Sequence, residues 1–137
     1  MRRVFAAILL VSGCKFVSDN KSPGGIDGDY TGRVTSTDSA WMAPAVAYLK
    51  TDGLTVTGTI AVLGSDCFMA IRLRGTRDAR YFGGVLTSST STMTFDANTL
   101  LDRIIASYDV TDGAACIGGT GRFEFTKNGS MEQLKGP

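Results

Sequence analysis

Residues 54–62, Leu54-Thr55-Val56-Thr57-Gly58-Thr59-Ile60-Ala61-Val62, alternate apolar and small polar side chains. A period of two is the mark of a β-strand with one buried face. Leu54, Val56, Ile60 and Val62 fall on the face read as core, and the three threonines fall on the other. The same reading extends downstream. Cys67, Met69, Ile71 and Leu73 alternate with Phe68, Ala70, Arg72 and Arg74, which turns both arginines outward. Met93, Phe95 and Ala97 interleave with Thr92, Thr94 and Asp96. Ile104, Ala106, Tyr108 and Val110 share a side, as do Ile117, Phe123 and Phe125. Further strands are expected at about 29–37, 41–50, 79–87, 103–110 and 117–127, which makes about eight, with turn residues breaking the chain every eight to twelve positions.

The expected fold class is therefore all-β. Thr51-Asp52-Gly53, Gly64-Ser65-Asp66, Thr76-Arg77-Asp78 and Thr111-Asp112-Gly113 supply turn chemistry, so consecutive strands read as antiparallel hairpins of a meander. Gly83-Gly84, Gly118-Gly119 and Gly121 fall inside expected strands, where glycine marks bends or close backbone approach, as at barrel corners. Short strands joined by tight turns escape exposed edges by closing on themselves, which favours a single antiparallel meander β-barrel. Thr99 and Asp102 sit at capping-box spacing, so 98–102 reads as one helical turn or a loop. An eight-stranded barrel either fills its interior with side chains or holds one small ligand, and the pattern leaves both open.

Upstream of the barrel, Arg2 and Arg3 precede the run from Val4 to Val11. Eight apolar residues fall short of the roughly 20 needed to span a bilayer, and the arrangement reads as a secretory signal. The tetrapeptide Val11-Ser12-Gly13-Cys14 behind that run resembles the lipobox of bacterial lipoproteins. The resemblance implies cleavage before Cys14, a diacylglycerol on its thiol, and a fatty acyl chain such as palmitate on the new amino group. Residues 1–13 are then a lipoprotein signal peptide, 14–28 a lipidated flexible tether rich in turn formers, 29–127 the barrel and 128–137 a C-terminal tail. Lys15 stands where Asp is associated with inner-membrane retention, so the resemblance implies the outer membrane of a bacterial cell envelope, facing periplasm or surface. The start Arg2-Arg3-x-Phe5 is similar to a twin-arginine signal, but so short a leader favours the general secretory route. Asp27-Gly28-Asp29 lacks the spaced acids of a calcium loop and reads as a turn.

Composition narrows the function. Lys and Arg number 14 and Asp and Glu 13, and loss of Arg2 and Arg3 with the signal leaves a balance of −1. Near-neutrality argues against nucleic acid as a partner. The absence of histidine removes the commonest general base and metal ligand. No Gly-x-Ser-x-Gly elbow or Ser-x-x-Lys motif occurs, and no two acids single themselves out as a glycosidase pair. The expectation is a protein that is not an enzyme and carries no cofactor or metal. With Cys14 lipidated, Cys67 and Cys116 are left as a pair, expected as a disulfide in an oxidising compartment rather than as free thiols or metal ligands.

Two further resemblances concern the barrel. Gly28-Asp29-Tyr30-Thr31-Gly32 at the first strand, with the eight-strand meander, resembles the calycin group of lipocalin-like and avidin-like barrels, with Tyr30 in place of that group's usual Trp. Ala79-Arg80-Tyr81 after a turn resembles small envelope lipoproteins that inhibit lysozyme, with Thr76-Arg77-Asp78 in place of their serine- and glycine-rich lead-in. Arg72, Arg74, Arg77 and Arg80 lie across one expected hairpin and make a candidate patch for an anionic partner, set against a plainly solvated hairpin. Trp41 is a candidate ligand contact at the barrel mouth, set against core packing.

Two function classes follow. The first is an envelope lipoprotein, anchored through Cys14 and expected to be a monomer, whose barrel binds a small apolar ligand or an acidic envelope component. The second is a structural or inhibitory, lysozyme-inhibitor-like protein with a filled barrel and a protein partner on its outer surface.

Overall fold

The computed structural model describes residues 25–64 and 66–129. The signal peptide, Cys14, most of the tether, Ser65 and the tail beyond residue 129 lie outside the described residues. Eight strands follow in order: β1 (Gly28–Ser36), β2 (Met42–Asp52), β3 (Thr55–Gly64), β4 (Cys67–Asp78), β5 (Tyr81–Thr87), β6 (Ser91–Leu100), β7 (Arg103–Gly113) and β8 (Thr120–Lys127). Each pairs antiparallel with the next, and β8 returns to β1 with Tyr30 opposite Lys127 and Ser36 opposite Gly121, closing the meander into a barrel. Closure leaves no strand with an unpaired edge among the described residues.

Burial follows the alternation of the sequence. Val56, Ile60 and Val62 point inward, as do Met69, Ile71 and Leu73, then Met93, Phe95 and Ala97, and then Ile104, Ala106 and Tyr108. β2 contributes only alanines and one leucine to the interior, namely Ala43, Ala45, Ala47 and Leu49. Its small side chains leave room for the aromatics of other strands. Phe82 meets Phe95 edge-on with ring centroids 5.7 Å apart, Tyr108 tilts against Phe123 at 5.2 Å, and Phe123 stacks on Phe125 at 5.7 Å. Gly75 and Gly84 lie opposite each other on β4 and β5. A Cβ on Gly84 would stand 2.2 Å from the Arg74 carbonyl oxygen, and one on Gly75 would stand 2.4 Å from that of Gly83. Here the two strands approach too closely for any side chain, as expected at a barrel corner.

Several local expectations are corrected. Leu54 is not core: it occupies the two-residue turn between β2 and β3 and is 70% exposed. Residues 76–78 are not a turn, because Thr76, Arg77 and Asp78 pair with Gly83, Phe82 and Tyr81 and carry the hairpin to a tighter turn at 79–80. Thr111 to Gly113 likewise belong to β7, which carries a β-bulge opposite Thr92 and Met93. No helical turn forms at 98–102: Asn98 to Leu100 continue β6, and Leu101 and Asp102 make the turn into β7. Gly118 and Gly119 precede β8, which starts only at Thr120.

Both ends of the barrel are plugged. At one rim the 114–119 loop folds over the opening and buries Ile117 completely, its carbonyl accepting a hydrogen bond from the Tyr108 hydroxyl. At the other rim Ile26, counted in the tether by the sequence reading, is buried at 3% exposure, and its carbonyl accepts from Tyr30 Oη at 2.9 Å. Asp27 fixes this segment by accepting from the backbone N–H and hydroxyl of Thr51 at 3.0 and 2.6 Å. The packed domain therefore includes Ile26 and Asp27, upstream of β1.

Candidate functional site

Between these plugs the interior is a continuous apolar core. A void of about 20 Å³ lies within it, bounded by Ala47, Leu49, Phe95, Phe123, Phe125 and other apolar side chains. That is room for roughly one water, with no polar group to hold it.

A broad concavity lies on the outer wall, across β2, β3 and β4. Outward residues there form two rows, Val46–Ala61–Ala70 and Tyr48–Thr59–Arg72–Thr87, set by the strand register. The alanines and threonine make a low floor, while Tyr48 and Val46, each more than 40% exposed, and Arg72 stand up around it. The groove has a volume of about 670 Å³ and runs from Asp29 to Ser88 and Ser89. Toward one rim the apolar strip continues into the cross-strand pair Leu63–Phe68, with Phe68 73% exposed. Tyr and Arg flanking a small-residue floor are the residue types that concentrate binding energy at interfaces. The groove is hidden in the sequence because β2 is apolar on both faces, so the outward set Val46 and Tyr48 alternates with the inward alanines.

The four candidate arginines divide into two pairs. Arg72 and Arg74 point outward on β4, facing Thr59 and Thr57 on β3. Arg77 has the inward parity but sits at the rim, half-buried, with Nε donating to the Ala79 carbonyl at 3.2 Å. Arg80 is in the 79–80 turn, where its carbonyl accepts from Thr99 N–H and hydroxyl at 2.8 and 3.2 Å. Five residues of strand separate Arg72 from Arg77, roughly 17 Å, so wall and rim are distinct surfaces. On the opposite wall Glu124 takes both Arg33 and Arg122 at 3.2 Å, whereas Arg72 and Arg74 have no ion-pair partner among the described residues.

Trp41 precedes β2 at the rim covered by the 114–119 loop and is partly buried against the core. Cys67 and Cys116 lie at disulfide distance with Cα atoms 5.9 Å apart, tying that loop to the start of β4. A polar latch completes the rim. Ser36 Oγ donates to Asp38 Oδ1 at 2.6 Å, and Gly119 N–H donates to Oδ2 at 3.0 Å. These donors, that of Ser36 foremost, hold the Asp38 carboxyl below its ordinary range. Behind the latch, Gly121 gives the Tyr108 ring its place, since a Cβ there would stand 2.7 Å from Cε1. Burial pushes Tyr108 up to about 12, with Asp38 adding to the effect. Tyr30 at the other rim is also pushed up to about 12, first by burial and then by Asp102 and Asp27, against an opposing pull from Arg77.

Among the described residues no three His, Cys, Asp or Glu side chains gather to hold a metal ion. The buried polar side chains, Ser36, Ser91 and Thr99, serve the latch, the β5–β6 turn and the β4–β5 turn respectively. Comparison with protein-family models, curated proteins and solved structures finds no match.

Proposed function

We propose that this chain is a bacterial envelope lipoprotein, acylated at Cys14, that acts without catalysis by binding a protein partner on the outer wall of a filled barrel. The observation that carries this reading is the contrast between a 20 Å³ internal void and a 670 Å³ external groove. Known pockets that bury a drug-sized ligand run from roughly 300 to 1,000 Å³, so the interior offers no such room. The groove favours a partner with an acidic group for Arg72 and an apolar stretch for Val46, Ala61 and Ala70. Lys15 favours the outer membrane as the place of anchorage. A second reading, an anionic amphiphile in the same groove, is favoured by the unpaired state of Arg72 and Arg74 among the described residues.

The test is the full chain expressed in a bacterial envelope with a photo-crosslinking amino acid at Val46 or Tyr48. A discrete protein-sized adduct, lost when Arg72→Glu is added, supports the protein-binding reading. An adduct-free protein that carries a small anionic molecule in native mass spectrometry would replace it with the second. A Cys14→Ser chain that still incorporates labelled fatty acid would sink the lipoprotein assignment.

A further inference from the structure

Three leucines sit where turns ordinarily carry Gly, Asn or Asp. Leu54 follows Gly53 in the β2–β3 turn at 70% exposure, Leu100 ends β6 at 52%, and Leu101 forms the tip of the β6–β7 turn at 94%. Leu101 also has a φ of +57°, a left-handed conformation that a Cβ penalises and that Asn or Gly would relieve. A leucine held there, almost wholly in water, works against both solubility and backbone preference. Ala40 and Ala79 share the left-handed conformation, but neither adds a large exposed apolar side chain to it.

The three do not stand apart. With Gly53, Arg77, Ala79, Arg80 and Thr99 they surround a single concavity of about 620 Å³ on one rim of the barrel. At the opposite rim the turns at 37–39 and 88–90 are polar, and the exposed apolar side chains there, Met42, Leu63 and Phe68, lie on the strands and not at turn tips. The chain also enters the barrel at the leucine rim: Ile26 plugs it, and Lys127 Nζ reaches the Gly25 carbonyl at 3.2 Å. Gly25 is 11 residues from Cys14, a span of at most about 40 Å whatever its conformation. Resting on the proposed acylation of Cys14, the anchor is joined to the barrel at the leucine rim and not at its opposite.

We propose that the rim formed by Leu54, Leu100 and Leu101 is a bilayer-docking surface, with the leucines entering the boundary between headgroups and acyl chains and Arg80 at the level of the phosphates. Around it Arg77, Arg80 and Arg103 are matched by Asp52, Asp78 and Asp102, so apolar insertion drives the contact and anionic lipid contributes little. The contact is weak alone. The anchor raises the rim's local concentration at the surface, and a weak contact then suffices to orient the molecule. Docked in this way, the barrel stands on end with the groove on its flank and the Cys67–Cys116 rim facing away from the membrane.

The experiment uses full-length acylated protein in phosphatidylethanolamine and phosphatidylglycerol vesicles containing lipids brominated on the acyl chain. Trp41, at the far rim, is the built-in reference. Leu100→Trp adds a reporter at the leucine rim, and Leu54→Trp repeats the measurement should the first variant fold poorly. Insertion of 5–10 Å predicts quenching of the added tryptophan at least about threefold stronger than that of Trp41, little changed by salt. Vesicle-bound protein whose added tryptophan is quenched no more than Trp41 overturns the docking proposal and leaves the anchor standing. Protein that fails to float with vesicles at all refutes the anchor, and the docking proposal with it.

Discussion

Replacing Cys67 and Cys116 together by alanine removes a link between residues 49 apart in sequence, spanning β4 to β7. In the folded barrel the change is small, since Cys67 is a minor member of the core and Cys116 is exposed. Its main effect is on the unfolded chain, which regains the freedom that closing the loop denied it. For a loop of this size the loss of stability is about 4 kcal/mol at 25 °C in the chain-entropy account. With about 100 residues ordered in the barrel, that corresponds to a fall in Tm of about 15–20 °C. Scanning calorimetry of the oxidised parent and the double variant measures it directly, and urea titration supplies the free energy. Near-UV circular dichroism of the two folded proteins should differ only by the broad band of the disulfide itself, because Tyr108 and Phe123 keep their places without the link. A fall in Tm of less than about 5 °C, with the fold intact, would refute the reasoning. So would titratable thiols at these two positions in the native parent protein.

Gly121→Ala forces a methyl group to within 2.3 Å of the Thr35 carbonyl oxygen and into the Tyr108 side chain; overpacking of about 2–3 kcal/mol is expected in chemical denaturation. Tyr108→Phe removes the hydrogen bond to the Ile117 carbonyl and should lose about 1–3 kcal/mol, with faster amide exchange confined to the 114–119 loop. Tyr30 and Tyr108 are pushed up from 10.0 to about 12 in the fold. Stability is therefore full below pH 10, where both are protonated folded or unfolded, and falls as pH rises through 12; alkaline unfolding followed by fluorescence should flatten in Tyr30→Phe. Leu101→Asn relieves the positive φ and should raise stability by about 1 kcal/mol, while weakening the membrane contact of the leucine rim.

The fold was legible because period two survives in almost every strand and turn formers lie at or close to most strand ends. β3, β4 and β6 could be assigned residue by residue, and their inward sets are those the structure buries, Leu54 excepted. What the chain did not disclose locally was long-range. Nothing near Ile26 or Ile117 announces that each will plug a rim, since each is held by a hydrogen bond from a buried tyrosine hydroxyl to its carbonyl. Turn ends were misplaced where Thr, Asp and Gly, good turn formers, instead extend a hairpin, as at 76–78 and 111–113. The arginines were read as one patch because Arg72, Arg74, Arg77 and Arg80 are neighbours in sequence, yet strand length carries two of them to the rim. The outer groove required knowing which face of β2 is inside. Alanines win that face because Phe95, Phe123 and Phe125 already fill the space opposite.

Closing the barrel through β1 gives the first strand a mechanical role. β1 is held by eight register pairs to β2 and by seven to β8, with Gly25 and Ile26 leading directly into it. Antiparallel hydrogen bonds lie across the strands, so tension applied at Gly25 along the barrel loads both ladders at once, in shear, instead of unzipping them one bond at a time. A tug between a fixed amino terminus and a partner gripping the flank would meet its greatest resistance at the first strand. The connection to the rim, and not the barrel wall, is then where such a molecule yields.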